Sequence, residues 1–185
     1  MAEATTRRKR APETAEAYIA RLLAALGGRD PFEVLETTPS ELRRAVAGLT
    51  PEQLATPEGF GEWSVREVLQ HLVDSEVVGA FRIRMVLAHD RPTLAGYDQE
   101  RWAASLHYDQ TNVPEALEEF EVLRAANVRL LRRLSAQDRL RVGLHSERGE
   151  ESIEQMILNY AGHDLVHLRQ IARIREAIGA PNEGS

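Results

Sequence analysis

Six histidines stand out in this sequence as side chains that could do chemistry, and two of them have the spacing of a metal-binding pair. His163 and His167 are four positions apart, so on a helix they lie about 40° apart around the axis, one turn above the other. That spacing allows two imidazoles to bind one divalent cation. A lone HxxxH pair is also common by chance, so the pair by itself does not establish a metal site.

His71 is the candidate for a third ligand. It falls at the edge of the apolar face of a different predicted helix, near Val68 and Ser75. Three imidazoles would leave coordination positions open, as in catalytic metal sites. The sequence alone cannot show that the two helices bring these rings together.

The remaining histidines, His89, His107 and His145, fall near predicted helix ends or in loops, and we interpret them as surface residues. His145 is the one that could approach the site from its loop. The metalloprotease motif H-E-x-x-H is absent, because Asp164 rather than glutamate follows His163.

Two carboxylates are predicted to lie near the centres of apolar helix faces, Glu76 on the helix of His71 and Asp164 on the helix of His163. A buried carboxylate is costly unless it is paired. One interpretation is an internal ion pair, with Arg175 as the candidate cation. The other is a second-shell role, in which a carboxylate accepts the far N–H of a metal-bound imidazole. Both interpretations stay open, and a direct fourth ligand at Glu76 is disfavoured.

Composition restricts the class of protein. The 185 residues suit one domain, which we place at residues 12–180, after a polar N-terminal arm (residues 1–11) that we predict to be disordered. A net charge of −6 argues against nucleic acid as a partner. No apolar run could span a bilayer and no secretion signal is evident, so we expect a cytoplasmic protein without a membrane partner. The absence of cysteine excludes disulfides, thiolate ligands and a cysteine nucleophile.

Alanine, leucine, glutamate and arginine dominate the sequence, and strand-like alternation is lacking, which predicts an all-α fold. Helices are predicted wherever apolar residues recur at three and four positions behind a capping residue or proline. The predicted starts are near Pro12, Thr38, Thr50, Ser64, Pro114 and Ser152, and a short helical segment is predicted around Trp102. A small hairpin is predicted between Leu140 and Glu151.

Three segments resemble signatures of the DinB/YfiT-like family. They are EWSVREVLQHLVDSE (residues 62–76), RPTLAGYD (residues 91–98) and YAGHDLVHLRQI (residues 160–171). The segments occur in the family's order, and the resemblance covers roughly residues 31–178. It implies a four-helix bundle with additional short helices and a divalent metal bound by His71, His163 and His167.

The resemblance also implies zinc or nickel as the metal, a homodimer, and a small-molecule substrate. Some relatives transfer a low-molecular-weight thiol such as bacillithiol or mycothiol onto an electrophile. Because this chain has no cysteine, the sulfur would come from a cosubstrate. Arg82, Arg84 and Arg169 are candidates for binding an anionic cosubstrate, although each is also explained as a solvated helix charge. A metal-dependent hydrolase of small esters or amides and a non-enzymatic, metal-stabilised stress-related bundle are the alternatives.

Overall fold

Local capping decides where the long helices begin. The backbone N–H and the hydroxyl of Ser64 both donate to Glu67 Oε2 at 2.8 Å, just before the helix that carries His71. Ser152 and Gln155 form the equivalent capping box before the helix that carries His163, with bonds of 2.8 and 3.2 Å. Both predicted helix starts are confirmed.

The computed structural model describes residues 13–180. Eight α-helices occur in that range: α1 (Ala15–Leu26), α2 (Pro31–Val46), α3 (Pro51–Ala55), α4 (Val65–Ala88), α5 (Gln99–Ser105), α6 (Val113–Leu131), α7 (Ala136–Arg139) and α8 (Ile153–Ala177). Three short strands accompany them: β1 (Thr93–Leu94), β2 (Val142–His145) and β3 (Gly149–Ser152). One turn of 3₁₀ helix spans Tyr108–Gln110.

Four long helices form the bundle. Helix α2 packs against α6 and α8, and α4 packs against the same two helices from the opposite corner. Helix α1 lies along α8 on the outside. The all-α, four-helix-bundle prediction with additional short helices is therefore confirmed. None of the helices within residues 13–180 combines the length and apolar character needed to cross a membrane.

The bundle core has two apolar halves. One contains Ile83, Val128 and Ile157, and the other contains Leu72 and Phe120. Between them, α4, α6 and α8 bury charged and polar side chains, among them those of the predicted site. Buried polar groups need partners, so this layer sets how the three helices align.

The prediction that a second helix starts at Thr38 is wrong, because α2 begins at Pro31 and continues through Pro39. Proline has no N–H, so Leu35 loses the helical donor that its carbonyl would receive from position 39. Arg124 of α6 donates to that carbonyl at 3.0 Å instead. A tertiary hydrogen bond thus replaces the missing helical one, and the helix is not interrupted.

The predicted hairpin is confirmed as β2 and β3, which pair antiparallel from Val142–Ser152 to His145–Gly149. Strand β1, only two residues long and not predicted, pairs parallel to β2. The predicted arm at residues 1–11 and the helix start near Pro12 lie outside the described residues. Within them, the first helix begins at Ala15 and is capped by Thr14, whose side chain accepts from the N–H of Ala17 at 3.2 Å.

Candidate metal centre

Two helices bring the three predicted imidazoles together. His71 lies on α4, and His163 and His167 lie one turn apart on α8, which packs against α4. The Nε2 atom of His163 is 3.1 Å from Nε2 of His71 and 3.1 Å from Nε2 of His167. The nitrogens that each ring offers lie within 4.8 Å of one another.

A bound cation satisfies the three converging ring nitrogens better than hydrogen bonds between the rings would. His167 Nδ1 lies 2.8 Å from the side-chain oxygen of Gln170. Because that oxygen accepts, Nδ1 carries the proton and Nε2 presents a lone pair. A single proton at His163 Nε2 cannot satisfy three converging nitrogens, whereas a divalent cation accepts a lone pair from each.

Burial keeps the three rings neutral. Desolvation lowers the pKa of His71 and His163 well below the ordinary value, and the neighbouring imidazole of His167 lowers both further. Burial also lowers the pKa of His167 to about 4, although the hydrogen bond with Gln170 opposes the change. Neutral imidazole is the form that binds metals, so no proton must be displaced at neutral pH.

Two of the three nitrogen separations fit a transition metal. With metal–nitrogen bonds of about 2.0–2.1 Å, ligand nitrogens lie roughly 2.9 Å apart in octahedral and roughly 3.3 Å apart in tetrahedral geometry. The two 3.1 Å separations fall between these values. The chain can therefore hold one divalent cation between α4 and α8.

The two predicted carboxylates belong to a buried charge network. Arg124 of α6 bonds Glu76 at 3.0 and 3.1 Å and Asp164 at 2.6 and 3.1 Å. Asn127 donates to the other oxygen of Glu76 at 2.7 Å. The prediction that Arg175 pairs with these carboxylates is wrong. Its guanidinium donates hydrogen bonds to the backbone carbonyls of residues 45 and 47. These hydrogen bonds tie Glu76 and Asp164 to α6 rather than to the imidazoles, and a second-shell role for them stays a prediction.

The three imidazoles border an open cleft of about 780 Å³. Trp63 lies over His71 with ring centroids 4.9 Å apart, and the cleft extends past Tyr97 to the small sheet. His145, predicted as a surface residue, lines this cleft and is only 4% exposed, because β2 is covered by the neighbouring elements. His89 and His107 are exposed, in agreement with the prediction.

The sequence is similar to those of a known protein family and of relatives named for metal-dependent activity. The sequence matches the model of the DinB superfamily over residues 34–171. The chain belongs to the DinB superfamily. Relatives from Bacillus cereus and Bacillus anthracis, each named "Putative metal-dependent hydrolase", are 33% identical over 147 residues, which cover 80% of this chain and 84% of each relative.

A solved structure shares the fold of this DinB-superfamily chain. It is YfiT from Bacillus subtilis, described as "a probable metal-dependent hydrolase with an unusual four-helix bundle topology". The two structures superpose with a TM-score of 0.76 at 25% identity, over 94% of each chain.

Sequence reasoning missed two residues of this site, Gln170 and Arg124. Gln170 was one turn from His167 and could have been found by asking what orients the ring. Arg124 gave no local signal, since its partners are 40 and 48 positions away in the chain. Of the two interpretations of Arg82, an anion-binding residue or a solvated helix charge, the second is wrong, because Arg82 is 7% exposed and lines the cleft.

Proposed function

We propose that this chain is a metal-dependent transferase that activates a low-molecular-weight thiol, of the bacillithiol or mycothiol type, for attack on a small electrophile. The observation that carries the proposal is the composition of the centre. Three neutral imidazoles border a wide cleft, and within residues 13–180 no carboxylate joins them within 4.8 Å.

The donor set favours a thiol over water. Zinc or nickel held by three neutral nitrogens would keep its full charge and would stabilise a thiolate at neutral pH. A thiol ionises near pH 8.5 without help, so it needs no carboxylate to take its proton. Since the chain has no cysteine, the sulfur comes from outside, and the cleft is large enough to admit it.

The chain's own residues orient the centre. Gln170 holds the ring of His167, and Trp63 packs against the ring of His71 while donating to Glu100 at 3.3 Å. Such contacts keep the imidazoles in one orientation before any ligand arrives. The polar layer around Arg124 holds α4 and α8, the two helices that carry the imidazoles, in register.

Hydrolysis of a small ester or amide is the second candidate, and the names of the relatives favour it. The same cation could lower the pKa of water. A hydrolase of this kind commonly uses a side-chain carboxylate to accept the water's proton. Among the residues described, no carboxylate belongs to the cluster of three imidazoles, so the base would have to come from an acidic residue elsewhere on the cleft wall, such as Glu62, and hydrolysis is the weaker proposal.

The test is a fluorescent conjugation assay. Protein loaded with zinc or nickel is incubated with monochlorobimane and, in turn, with several cellular thiols. We expect metal-dependent acceleration with at least one thiol, and loss of both bound metal and acceleration in His71→Ala and His163→Ala. His89→Ala is the matched control, because this histidine is exposed and far along α4 from His71.

Three other outcomes would contradict the proposal. Turnover of esters or amides without thiol would identify a hydrolase. Retention of metal with neither activity, together with a lower melting temperature after metal removal, would indicate a structural metal. Absence of metal by elemental analysis, in protein purified without chelators or a nickel column, would remove both enzymatic proposals.

A further inference from the structure

The end of the cleft near the sheet contains a buried guanidinium for which residues 13–180 supply no counter-anion. Arg82 lies on α4 and is 7% exposed. Its guanidinium donates to the carbonyl of Ala95 and lies 6.0 Å from the centre of the Tyr97 ring. Across residues 13–180, no carboxylate comes within 4.0 Å of Arg82. A buried cation without an anion is costly, which suggests that a ligand supplies the charge.

His145 presents an unused donor to the same part of the cleft. Its Nδ1 accepts the N–H of Glu147 at 3.1 Å, so the neutral ring carries its proton on Nε2. That Nε2 is buried and has no hydrogen-bond partner in the part of the chain that the structure describes. Burial, together with the neighbouring guanidiniums of Arg148 and Arg82, lowers the pKa of His145 to about 4, which agrees with a neutral ring.

Arg148 adds a second guanidinium, and its Nε is also buried with no partner among the described residues. Its Nη2 bonds Glu151 at 2.7 Å, and Glu151 also accepts from Asn159 at 2.7 Å. The buried carboxylate of Glu151 is therefore already paired. Asp98 and Glu147 also line the cleft, but both are exposed. Away from solvent, two guanidiniums and an imidazole N–H face the already paired carboxylate of Glu151, and the Nε of Arg148 and the Nε2 of His145 keep unsatisfied donors.

We propose that Arg82, His145 and Arg148 bind a carboxylate of the molecule that occupies the cleft. The geometry of α4 limits the shape of that molecule. His71 and Arg82 both line the cleft and are eleven residues apart, about 16 Å along the helix axis. The ligand is an extended molecule that carries its carboxylate well away from its reacting atom. This second part rests on the proposed function, because it assumes that the reacting atom meets the imidazoles.

The site is tested on metal-free protein, so that neither metal nor sulfur contributes. Succinate is the probe and succinamide its uncharged control, both measured by isothermal titration calorimetry. We expect millimolar binding of succinate and none of succinamide. Arg82→Met should weaken succinate binding at least about tenfold, because it removes a charge-assisted bond in a buried setting.

His145→Asn is the second variant, chosen because an asparagine oxygen can still accept the N–H of Glu147 while the Nε2–H is lost. It should weaken succinate binding about threefold or more at an unchanged melting temperature. Arg129→Met, an exposed arginine on α6, should bind like the wild type. Failure of succinate to bind, or equal binding by the wild type and both cleft variants, would overturn the proposal.

The source of the carboxylate follows from inhibition of the conjugation reaction. If succinate competes with the thiol, the carboxylate that binds here belongs to the thiol. If succinate competes with the electrophile, the carboxylate belongs to the electrophile. The two proposals fail separately: succinate binding without any thiol transfer leaves the carboxylate site standing, and thiol transfer without succinate binding removes the carboxylate site alone.

Discussion

Replacing Arg124 with methionine should destabilise the protein through the two carboxylates left behind. Arg124 is 3% exposed and pairs with Glu76 and Asp164, whose side chains are 7% and 1% exposed. Methionine fills much of the same volume but carries no charge and no donor. The variant therefore tests the network without opening a large cavity.

The expected magnitude follows from the ion pairs and the hydrogen bond that Arg124 makes. Removing one partner of a buried ion pair costs about 3 to 5 kcal/mol. The carbonyl of Leu35 also loses its hydrogen bond, because Pro39 has no N–H to donate to it. This loss adds about 1 kcal/mol or more to the destabilisation. We expect the free energy of unfolding to fall by roughly 5 kcal/mol at neutral pH, a large part of the total for a domain of this size.

The loss should depend on pH. Burial raises the pKa of Asp164, and Arg124 opposes that rise in the wild type. Without Arg124 the pKa of Asp164 rises further, so the native state holds a proton that the unfolded chain has released. Stability then falls as pH rises. The deficit, measured by urea denaturation of metal-free protein, should be smaller at about pH 5 than at about pH 7.5.

Two comparisons make the experiment decisive. Adding Glu76→Gln and Asp164→Asn to Arg124→Met removes both charges and should recover about 3 kcal/mol. Arg132→Met breaks an exposed pair with Glu36, at the end of the same helix, and should cost less than about 1 kcal/mol. A loss below about 1 kcal/mol in Arg124→Met, or the same deficit at both pH values, would refute the reasoning.

Three further predictions concern stability and assembly. Gly162→Ala should lower the melting temperature, because the new Cβ would lie 2.3 Å from the backbone oxygen of Leu22 in α1, whereas Gly59→Ala, with its nearest neighbour at 4.0 Å, should not. In the unfolded chain, the imidazole of His167 takes up a proton near pH 6.5, whereas burial lowers its pKa to about 4 in the folded protein. The metal-free protein should therefore melt at a lower temperature as pH falls below about 6.5. This loss should be smaller in His167→Gln. The homodimer implied by the family should appear in light scattering as twice the chain mass of 20.8 kDa, and a monomer would contradict it.

Much of the fold was predictable because its signals are local. The capping boxes at Ser64 and Ser152 act between residues three apart, so the sequence shows where α4 and α8 begin. The apolar spacing along these helices indicates which faces are buried. The exception at α2 has a specific cause: continuation through Pro39 depends on a donor from α6, which no local pattern reveals.

For the site, the sequence by itself determined that His163 and His167 share a helix face, since helical geometry places residues four apart on one side. Only the tertiary structure decided that His71 meets them, that Arg124 rather than Arg175 pairs with Asp164, and that His145 is buried. The physical reason is range. Hydrogen bonds within a helix join near neighbours in the chain, whereas ion pairs and burial depend on which helices and strands pack together, and that is settled by the whole core at once.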